Sequence, residues 1–325
     1  MKLKRMSYKH KNNKFIYYVK NYFRQLIPSS YYQQKLHTKL KSINSLNKHD
    51  IDNIEDRVNY YNKLEKSVPL TKPTRKLSEL KIDKGLKAYF FDLYEYSRYF
   101  NQNYEGHFLF GDITKVYEEP ALVKSRPITD DNTNSVLLKW NKIRHFTYVK
   151  GCKTPFSQKK NMLIGRGKVH PSQPHRIKFL EKHFGHPMCN IGKVNNNDLN
   201  SKWLVNRMTI DEQLKYKFIL CLEGNDVASN LKWVMSSNSL AVMPKPKFES
   251  WFMEGLLIPD YHYVHIKDDY SDLESKMQYY IDNTDKAISI VNNANKFVNQ
   301  FQNKDHEDLI SILVLDKYFK KTNQV

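Results

Sequence analysis

The stretch KYKFILCLEGNDVASNLKWVMSSNSLAVM, residues 215–243, contains the pattern that decides the fold. An apolar run over 217–222 predicts a buried strand, and a helix over 226–236 and a second strand over 239–243 follow it. The polar residues 223–226 lie between the first strand and the helix. Loops at this position, where the carboxyl end of a strand faces a helix N-terminus, hold anions and nucleotides in α/β proteins. The stretch therefore predicts an α/β fold with a binding loop at 223–226.

The same alternation of strands and helices extends to both sides of this stretch. NMLIG (161–165) and residues 262–267 predict strands, and PSQPHRIKFLEKHFG (171–185) and TIDEQLKYK (209–217) predict helices. Upstream, HFLFGDI, ALVKSR and SVLLKW predict strands between 107 and 139. The pattern indicates two α/β lobes of mostly parallel sheet with a cleft between them. We expect a basic N-terminal helical arm (1–49), an N-terminal lobe (50–155), a C-terminal lobe (156–300) and a C-terminal helix (301–325).

The positive charge is concentrated at the N-terminus. The net charge is +19, and residues 1–49 hold twelve Lys or Arg and no acid. Within this arm, Phe15, Tyr18, Val19, Tyr22 and Leu26 recur at helical spacing. Basic residues around an apolar helix face suit an anionic membrane surface. Packing on the protein's own core and binding to nucleic acid are the two alternatives.

Several classes of protein are disfavoured by what the sequence lacks. Three scattered cysteines argue against a disulfide framework and favour a reducing, cytoplasmic setting. We find no secretory signal and no apolar run long enough to span a membrane. The GxSxG, HExxH and P-loop motifs are absent, and the Gly165-Arg166-Gly167 sequence lacks the third glycine of a dinucleotide fingerprint. The acidic pair Asp50 and Asp52 stands at a helix start, where aspartates serve as caps. We therefore expect neither a metal nor a cofactor.

Cationic side chains stand near the ends of the predicted strands. Arg166 follows a strand directly, Arg176 lies at the start of the next helix, and Lys215 precedes the strand at 217–222. Gly167 allows the backbone to approach a ligand held beside Arg166. Arginine is suited to bidentate phosphate binding. Each cation alone is explained as surface charge; together they indicate a diphosphate site.

Three segments resemble glycosyltransferase family 90, the capsule-associated-protein-like transferases. The similarity is strongest from residue 160 to 285, in LIGRGKVHPSQPHRIKF, in the opening stretch, and in FESWFMEGLLIPDYHYVHIKDDYSDLESKMQYY. FGDITKV resembles the family's N-R-D-Y-P segment over a shorter length. The arm and RVNYYNKL are similar to those of the bacterial lipopolysaccharide core transferases of that family.

The resemblance implies a GT-B architecture with inversion at the anomeric carbon and no bound metal. It implies that Asp112 is the general base; the alternative is a turn aspartate that caps Thr114 or Lys115. The donor-binding residues implied by the resemblance or by their place in the loop are Arg166, Gly167, Arg176, Lys215, Glu223, Gly224, Asn225, Ser229, Asn230 and Lys232. Glu223 and Asn230 depart from the residues usual in the family, which bears on the contacts to the diphosphate.

Two functions follow from these observations. The first is a hexosyltransferase that moves glucose or galactose from a UDP-sugar to a lipopolysaccharide or lipooligosaccharide core. It would lie peripherally on the inner face of the cytoplasmic membrane, held by the arm. The second is a basic nucleic-acid-binding protein, which predicts cations and exposed aromatics throughout the chain. Because the charge is confined largely to the first 49 residues, the enzyme is favoured and nucleic acid is not expected as a partner.

Overall fold

A computed structural model describes residues 9–152 and 154–325; residues 1–8 of the predicted arm lie outside this description. The helices are α1 (Lys14–Gln25), α2 (Ser29–Gln33), α3 (Leu36–Lys41), α4 (Lys48–Tyr61), α5 (Lys87–Ser97), α6 (Lys142–His145), α7 (Pro174–His183), α8 (Ile210–Gln213), α9 (Leu231–Met235), α10 (Leu273–Asp282), α11 (Thr284–Asn299) and α12 (Lys304–Lys321). The strands are β1 (Arg75–Lys76), β2 (Glu105–Leu109), β3 (Ala121–Val123), β4 (Ser125–Pro127), β5 (Ser135–Leu137), β6 (Lys160–Gly167), β7 (Cys189–Lys193), β8 (Tyr216–Leu220), β9 (Leu240–Met243), β10 (Phe248–Ser250) and β11 (Val264–His265). In the described ranges no helix combines the length and apolar character that a membrane crossing requires.

The chain folds as two compact units. The described part of unit 1 comprises residues 9–12, 144–152, 154–246 and 255–300. Unit 2 comprises residues 13–143, 247–254 and 301–325. The C-terminal helix α12 and the short strand β10 thus belong to the same unit as residues 13–143.

Unit 1 is built on a five-stranded parallel sheet. The strand order is β11-β9-β8-β6-β7, and every neighbouring pair is parallel. Apolar residues of β6, β8 and β9, among them Leu163, Phe218 and Val242, are fully buried in its core. The predicted α/β class with parallel sheet is confirmed. Read from β6 onward the order is that of the flavodoxin-like sheet, in which the direction of winding reverses between the first and third strands. Here that point lies between β6 and β8.

The segment after β8 differs from its prediction. The sequence predicts a helix over 226–236, but the helix α9 begins only at Leu231 and has five residues. Residues 221–230 form a loop that buries Val227 and Ala228, and Asn230 donates from Nδ2 to the carbonyl oxygen of Leu220 at 2.9 Å. Because Val227 and Ala228 are buried, the loop packs against unit 1, and the helix begins only after it.

Unit 2 contains a four-stranded sheet in the order β1-β2-β3-β5, with β2, β3 and β5 parallel. The predicted strand at ALVKSR divides into β3 and β4, because β4 leaves this sheet to pair with β10. Around the sheet lie α4, α5 and α12, and a buried cluster of charges joins α4 to α12. Arg57 and Lys139 each donate to Glu307 at 2.5 Å, and Trp251 donates to it at 2.8 Å. Each buried charge in this cluster thus has an opposite partner, as burial requires.

The helix α1 packs on α5 within unit 2 through both polar and aromatic contacts. The Tyr17 hydroxyl donates to Asp92 at 2.7 Å, and Arg24 donates to Glu95 at 2.5 Å. Tyr18 and Tyr22 meet the ring of Phe91 edge to face. Of the predicted apolar stripe, Tyr18 is half-buried against α5, whereas the other four residues remain exposed.

The buried carboxyl group of Asp92 makes the free energy of unfolding depend on pH. Burial raises the pKa of Asp92 to about 6, with Lys142 opposing the rise. The pKa of Asp92 is higher in the folded than in the unfolded protein. With respect to this group the protein is therefore most stable below about pH 4, and the free energy of unfolding falls as the pH rises to about 6. Asp92→Asn should remove this decline, so that the difference in unfolding free energy between wild type and variant changes by up to about 1.4 kcal/mol per pH unit. Urea unfolding at pH 4, 5, 6 and 7 measures it; a difference independent of pH contradicts the assignment.

Candidate functional site

The carboxyl ends of β6 and β8 bring two polar loops together in unit 1. Residues 168–173 follow β6, and residues 221–230 follow β8. Because β6 and β8 are adjacent and parallel, both loops leave the same edge of the sheet at the point where the winding reverses. Open α/β sheets bind ligands outside the carboxyl ends of the strands at this point.

Arg176, in the first turn of α7, joins the two loops. Its guanidinium donates from Nε to the carbonyl oxygen of Glu223 at 2.6 Å, from Nη2 to that of Leu222 at 2.8 Å, and from Nη1 to that of Lys168 at 2.6 Å. Two of its five N–H donors keep no acceptor within the described residues. Burial, followed by the nearby Arg144, lowers the pKa of Arg176 to about 10. The guanidinium therefore holds both loops and keeps a cation between them.

Further contacts fix the same two loops. His175 Nε2 lies 2.9 Å from the carbonyl oxygen of Glu223, and Gln173 Nε2 donates to Asn225 Oδ1 at 3.1 Å. A Cβ atom on Gly167 would lie 3.3 Å from Arg176 Nη1, which makes this glycine part of the close packing around the guanidinium. The structure thus brings together Gly167, Arg176, Glu223, Gly224 and Asn225 of the predicted site.

The loop after β7 supports the loop after β6. Asn195 accepts from the backbone N–H of Val169 at 2.8 Å, and Asn197 donates to the Val169 carbonyl oxygen at 2.7 Å. Lys193, fully buried at the end of β7, donates to Asn197 Oδ1 at 2.7 Å and to Leu199 O at 2.6 Å. Sequence analysis missed these residues, although the asparagine run after a strand was a usable signal.

The guanidinium of Arg166 is directed away from these loops. It donates to the carbonyl oxygen and to Oδ1 of Asn190, both at 2.6 Å, and to the carbonyl oxygen of Asn206 at 3.1 Å. Asn190 lies two residues before Gly192, the β7 residue that pairs with Arg166, so the side chain runs back along β7. The backbone of Arg166 lies near the loops, but its guanidinium is hydrogen-bonded to Asn190 of β7 and to Asn206.

Three other residues of the predicted donor site, Ser229, Asn230 and Lys232, lie at the end of the loop after β8 and at the start of α9. Asn230 and Lys232 both lie near Cys221, which follows the last residue of β8, and Ser229 is half-buried. Burial raises the pKa of the Cys221 thiol, and Lys232 opposes this rise. Lys232 is fully buried and lies 6.0 Å from the ring of Phe146.

Lys215 is not part of this group. It precedes β8, and its carbonyl oxygen accepts from Lys160 at the start of β6. Both residues therefore stand at the amino-terminal edge of the sheet, opposite the loops. The prediction that grouped Lys215 with the other cations fails because it counted strand ends without distinguishing the two edges.

Asp112 lies in unit 2, at the carboxyl end of β2. Lys124 follows the neighbouring parallel strand β3, and its ammonium lies 2.5 Å from Asp112 Oδ1. Lys124 is almost fully buried, whereas the Asp112 side chain is 34% exposed and so accessible to a ligand. Gly111 has a φ of +114°, a conformation that favours glycine and that turns the chain between β2 and Asp112.

The arrangement can hold an anionic ligand in unit 1 and can accept a proton in unit 2. A partly exposed carboxylate is a group that can serve as a general base. Among the described residues, no three His, Cys, Asp or Glu side chains gather as metal ligands would.

Comparison with known proteins identifies the class. The model for Glycosyl transferase family 90 matches residues 127–322. The chain belongs to this family, and the resemblance found in its motifs is confirmed.

Two relatives show how far the similarity extends. The chain is 38% identical over 307 residues to O-glucosyltransferase LpsA of Dichelobacter nodosus, covering 94% of this chain and 95% of that protein. It is also 32% identical over 130 residues to uncharacterized protein 179R of Invertebrate iridescent virus 6, covering 37% of this chain and 11% of that protein. Asp112 lies outside the segment matched by the family model.

Proposed function

We propose that the protein is an inverting hexosyltransferase that moves glucose or galactose from a UDP-sugar to a lipopolysaccharide or lipooligosaccharide core acceptor. The observation that carries this proposal is the pair of loops held by Arg176 at the winding reversal between β6 and β8. The family membership supports sugar transfer. The name of the Dichelobacter relative favours glucose as the sugar.

The donor site of the proposal lies at the loops after β6 and β8. The diphosphate would lie near the first turn of α7, where the two remaining N–H donors of Arg176 and the nearby Arg144 supply positive charge. Loops at this place in the sheet suit phosphate binding. Asn225, Ser229 and Asn230 offer hydrogen bonds to the sugar or the nucleoside. This charge would stabilise the leaving UDP without a bound metal.

Asp112 is the proposed general base. It would take the proton of the acceptor hydroxyl as that oxygen attacks the anomeric carbon, while the bond to the leaving diphosphate breaks on the opposite face. The ammonium of Lys124, which lies 2.5 Å from Asp112 Oδ1, fixes the position of the carboxylate. In the GT-B architecture that we propose for this chain, unit 1 is the donor lobe and unit 2 the acceptor lobe.

A transfer assay tests this proposal. Purified protein with EDTA and a truncated core oligosaccharide is incubated with UDP-glucose, UDP-galactose, GDP-mannose or ADP-glucose. We expect transfer from a UDP-hexose and little from the other two nucleotides. No transfer from either UDP-hexose, with the acceptor phosphorylated and intact, contradicts the proposal.

We propose further that α1 holds the enzyme on an anionic membrane surface. Four apolar residues on its outer side, Phe15, Ile16, Phe23 and Leu26, are 60–77% exposed, and Lys14 and Lys20 flank them. The opposite side of the helix is occupied by its contacts with α5. An exposed apolar face with flanking lysines suits insertion among anionic headgroups.

Vesicle sedimentation tests the membrane contact. Replacing Phe15, Phe23 and Leu26 by serine should lower binding to phosphatidylglycerol-containing vesicles about tenfold or more, because three exposed apolar side chains that would enter the membrane are lost. The matched control replaces Leu204, Leu256 and Ile258, which are also exposed but lie in unit 1. Equal binding by both triple variants would show that α1 is not the membrane contact.

A further inference from the structure

A cation and an aromatic ring lie in unit 2 close to the strand end that Asp112 follows. The edge strand β1 pairs antiparallel with β2, and its Arg75 lies opposite Gly106. The Arg75 side chain runs from there toward the carboxyl end of β2. Its Nη2 donates to the carbonyl oxygen of Phe108 at 3.1 Å, and its guanidinium carbon lies 6.0 Å from the centre of the Phe110 ring. The charge of Arg75 therefore lies near the same end of β2 as Asp112.

The Arg75 guanidinium is accessible to a ligand. Arg75 is exposed, and its bond to Phe108 uses one of five N–H donors. In the part of the chain that the structure describes, the other donors have no acceptor and no carboxylate forms an ion pair with Arg75. The neighbouring Glu105 pairs with Lys76, the next position in register, so its side chain lies on the opposite face of the sheet. There it accepts a hydrogen bond from Thr74 Oγ1.

The ring of Phe110 supplies an apolar surface beside this cation. Its centre lies 5.0 Å from that of the Trp140 ring, edge to face, and 5.5 Å from that of the Tyr89 ring. Trp140 and Tyr89 are buried, whereas Phe110 is only half-buried. The ring is thus held from behind while part of it remains exposed. Ligand sites combine such aromatic surfaces with a few fixed polar groups.

We propose that Arg75 and Phe110 bind the sugar acceptor beside Asp112. The inference rests on the proposed function and deepens it, because it assigns the acceptor an anionic group, a carboxylate or a phosphate. The guanidinium would pair with this group through two N–H donors, and the Phe110 ring would pack against a sugar ring. Asp112 lies four residues beyond Phe108, so their Cα atoms are at most about 14 Å apart. A short oligosaccharide can therefore reach both the guanidinium and the base.

Titration calorimetry with the truncated core oligosaccharide, without UDP-sugar and at constant ionic strength, tests the site. Arg75→Gln should bind this acceptor about tenfold more weakly than wild type, because a charge-assisted pair is lost. Arg75→Lys keeps the charge but not the forked geometry and should lose about threefold. The matched control Lys76→Gln removes a charge from the next residue, on the opposite face of the sheet, and should bind as wild type does. Equal affinity in Arg75→Gln and Lys76→Gln, or no binding by wild type, overturns the site.

The aromatic surface is tested with a second pair of variants. Phe110→Leu removes the ring and keeps an apolar side chain against Trp140, so it should bind the acceptor about threefold to tenfold more weakly. Phe110→Tyr keeps the ring and should retain the affinity. Equal affinity in the two variants would exclude the ring from the site.

Two modified acceptors identify the anionic group. Phosphatase treatment removes phosphate, and reduction of the carboxyl groups to alcohols removes carboxylate. Removal of the group that Arg75 binds should weaken wild-type binding about tenfold and leave wild type and Arg75→Gln with equal affinity. A difference that persists after both groups are removed overturns the pairing of Arg75 with an anion. Absence of transfer from UDP-hexoses to an acceptor that wild type binds contradicts the proposed function, while the titrations still decide the acceptor site.

Discussion

Arg176→Lys should weaken the binding of UDP about a hundredfold. A lysine cannot reproduce the planar donor pattern that meets three carbonyl oxygens, so the loops after β6 and β8 would lose their common anchor. The diphosphate would also lose a guanidinium that is already positioned. We expect the unfolding free energy to fall by about 2–4 kcal/mol, because several charge-assisted hydrogen bonds are lost. Titration calorimetry with UDP and a urea unfolding curve measure the two effects.

The matched control for this variant is Arg166→Lys. Arg166 also makes several hydrogen bonds at the end of β6, but they lead back along β7 to Asn190. This variant should lose stability and keep UDP affinity within about threefold, a difference below 1 kcal/mol. Equal loss of UDP affinity in both variants would show that Arg166 contributes to the donor site as much as Arg176 does.

Asp112→Asn should lower kcat about a thousandfold, within the range for loss of a general base. The amide is nearly isosteric but cannot accept the hydroxyl proton at neutral pH. UDP affinity should be unchanged, because the donor loops lie in unit 1. Steady-state transfer assays and UDP titration measure the two quantities.

The alternative role of Asp112, as a turn residue, predicts a different outcome. If the carboxylate only holds the turn through Lys124, Asp112→Asn should lower thermal stability and leave the kcat of the folded enzyme largely intact. Asp131→Asn, which changes an exposed aspartate elsewhere in unit 2, controls for the loss of one negative charge. A kcat loss in Asp131→Asn equal to that in Asp112→Asn would contradict the assignment.

The sequence predicts β6, β8 and β9 because their central residues form short, buried apolar runs. It misses β7, whose short segment CNIGK is interrupted by Asn190 and Gly192. β6, β8 and β9 lie within or beside the predicted runs, and α8 begins at the start of the helix predicted over 209–217, where Thr209 and Glu212 form a capping box. These features depend on residues within each segment and not on contacts with distant parts of the chain. Asp112 is likewise found after its strand, because the apolar run HFLFG ends at a glycine.

Long-range contacts explain what the sequence does not predict. The helix after β8 is short because the loop before it is buried, which depends on the rest of unit 1. The directions of Arg166 and Arg176 differ although both stand near the end of β6, since one meets Asn190 and the other the carbonyls of residues 222 and 223. The distinction between the two edges of the sheet, which separates Lys215 from the loops, follows only from the parallel strand order.

The anomeric configuration of the transferred sugar tests the central claim most directly. Wild-type protein is incubated with UDP-glucose, in which the sugar is α-linked, and a truncated core acceptor with EDTA present, and the product is examined by proton NMR. The account predicts a new β-linked glucose that is absent with Asp112→Asn. An α-linked product, or a β-linked product formed equally fast by Asp112→Asn, would contradict an inverting transfer with Asp112 as the base.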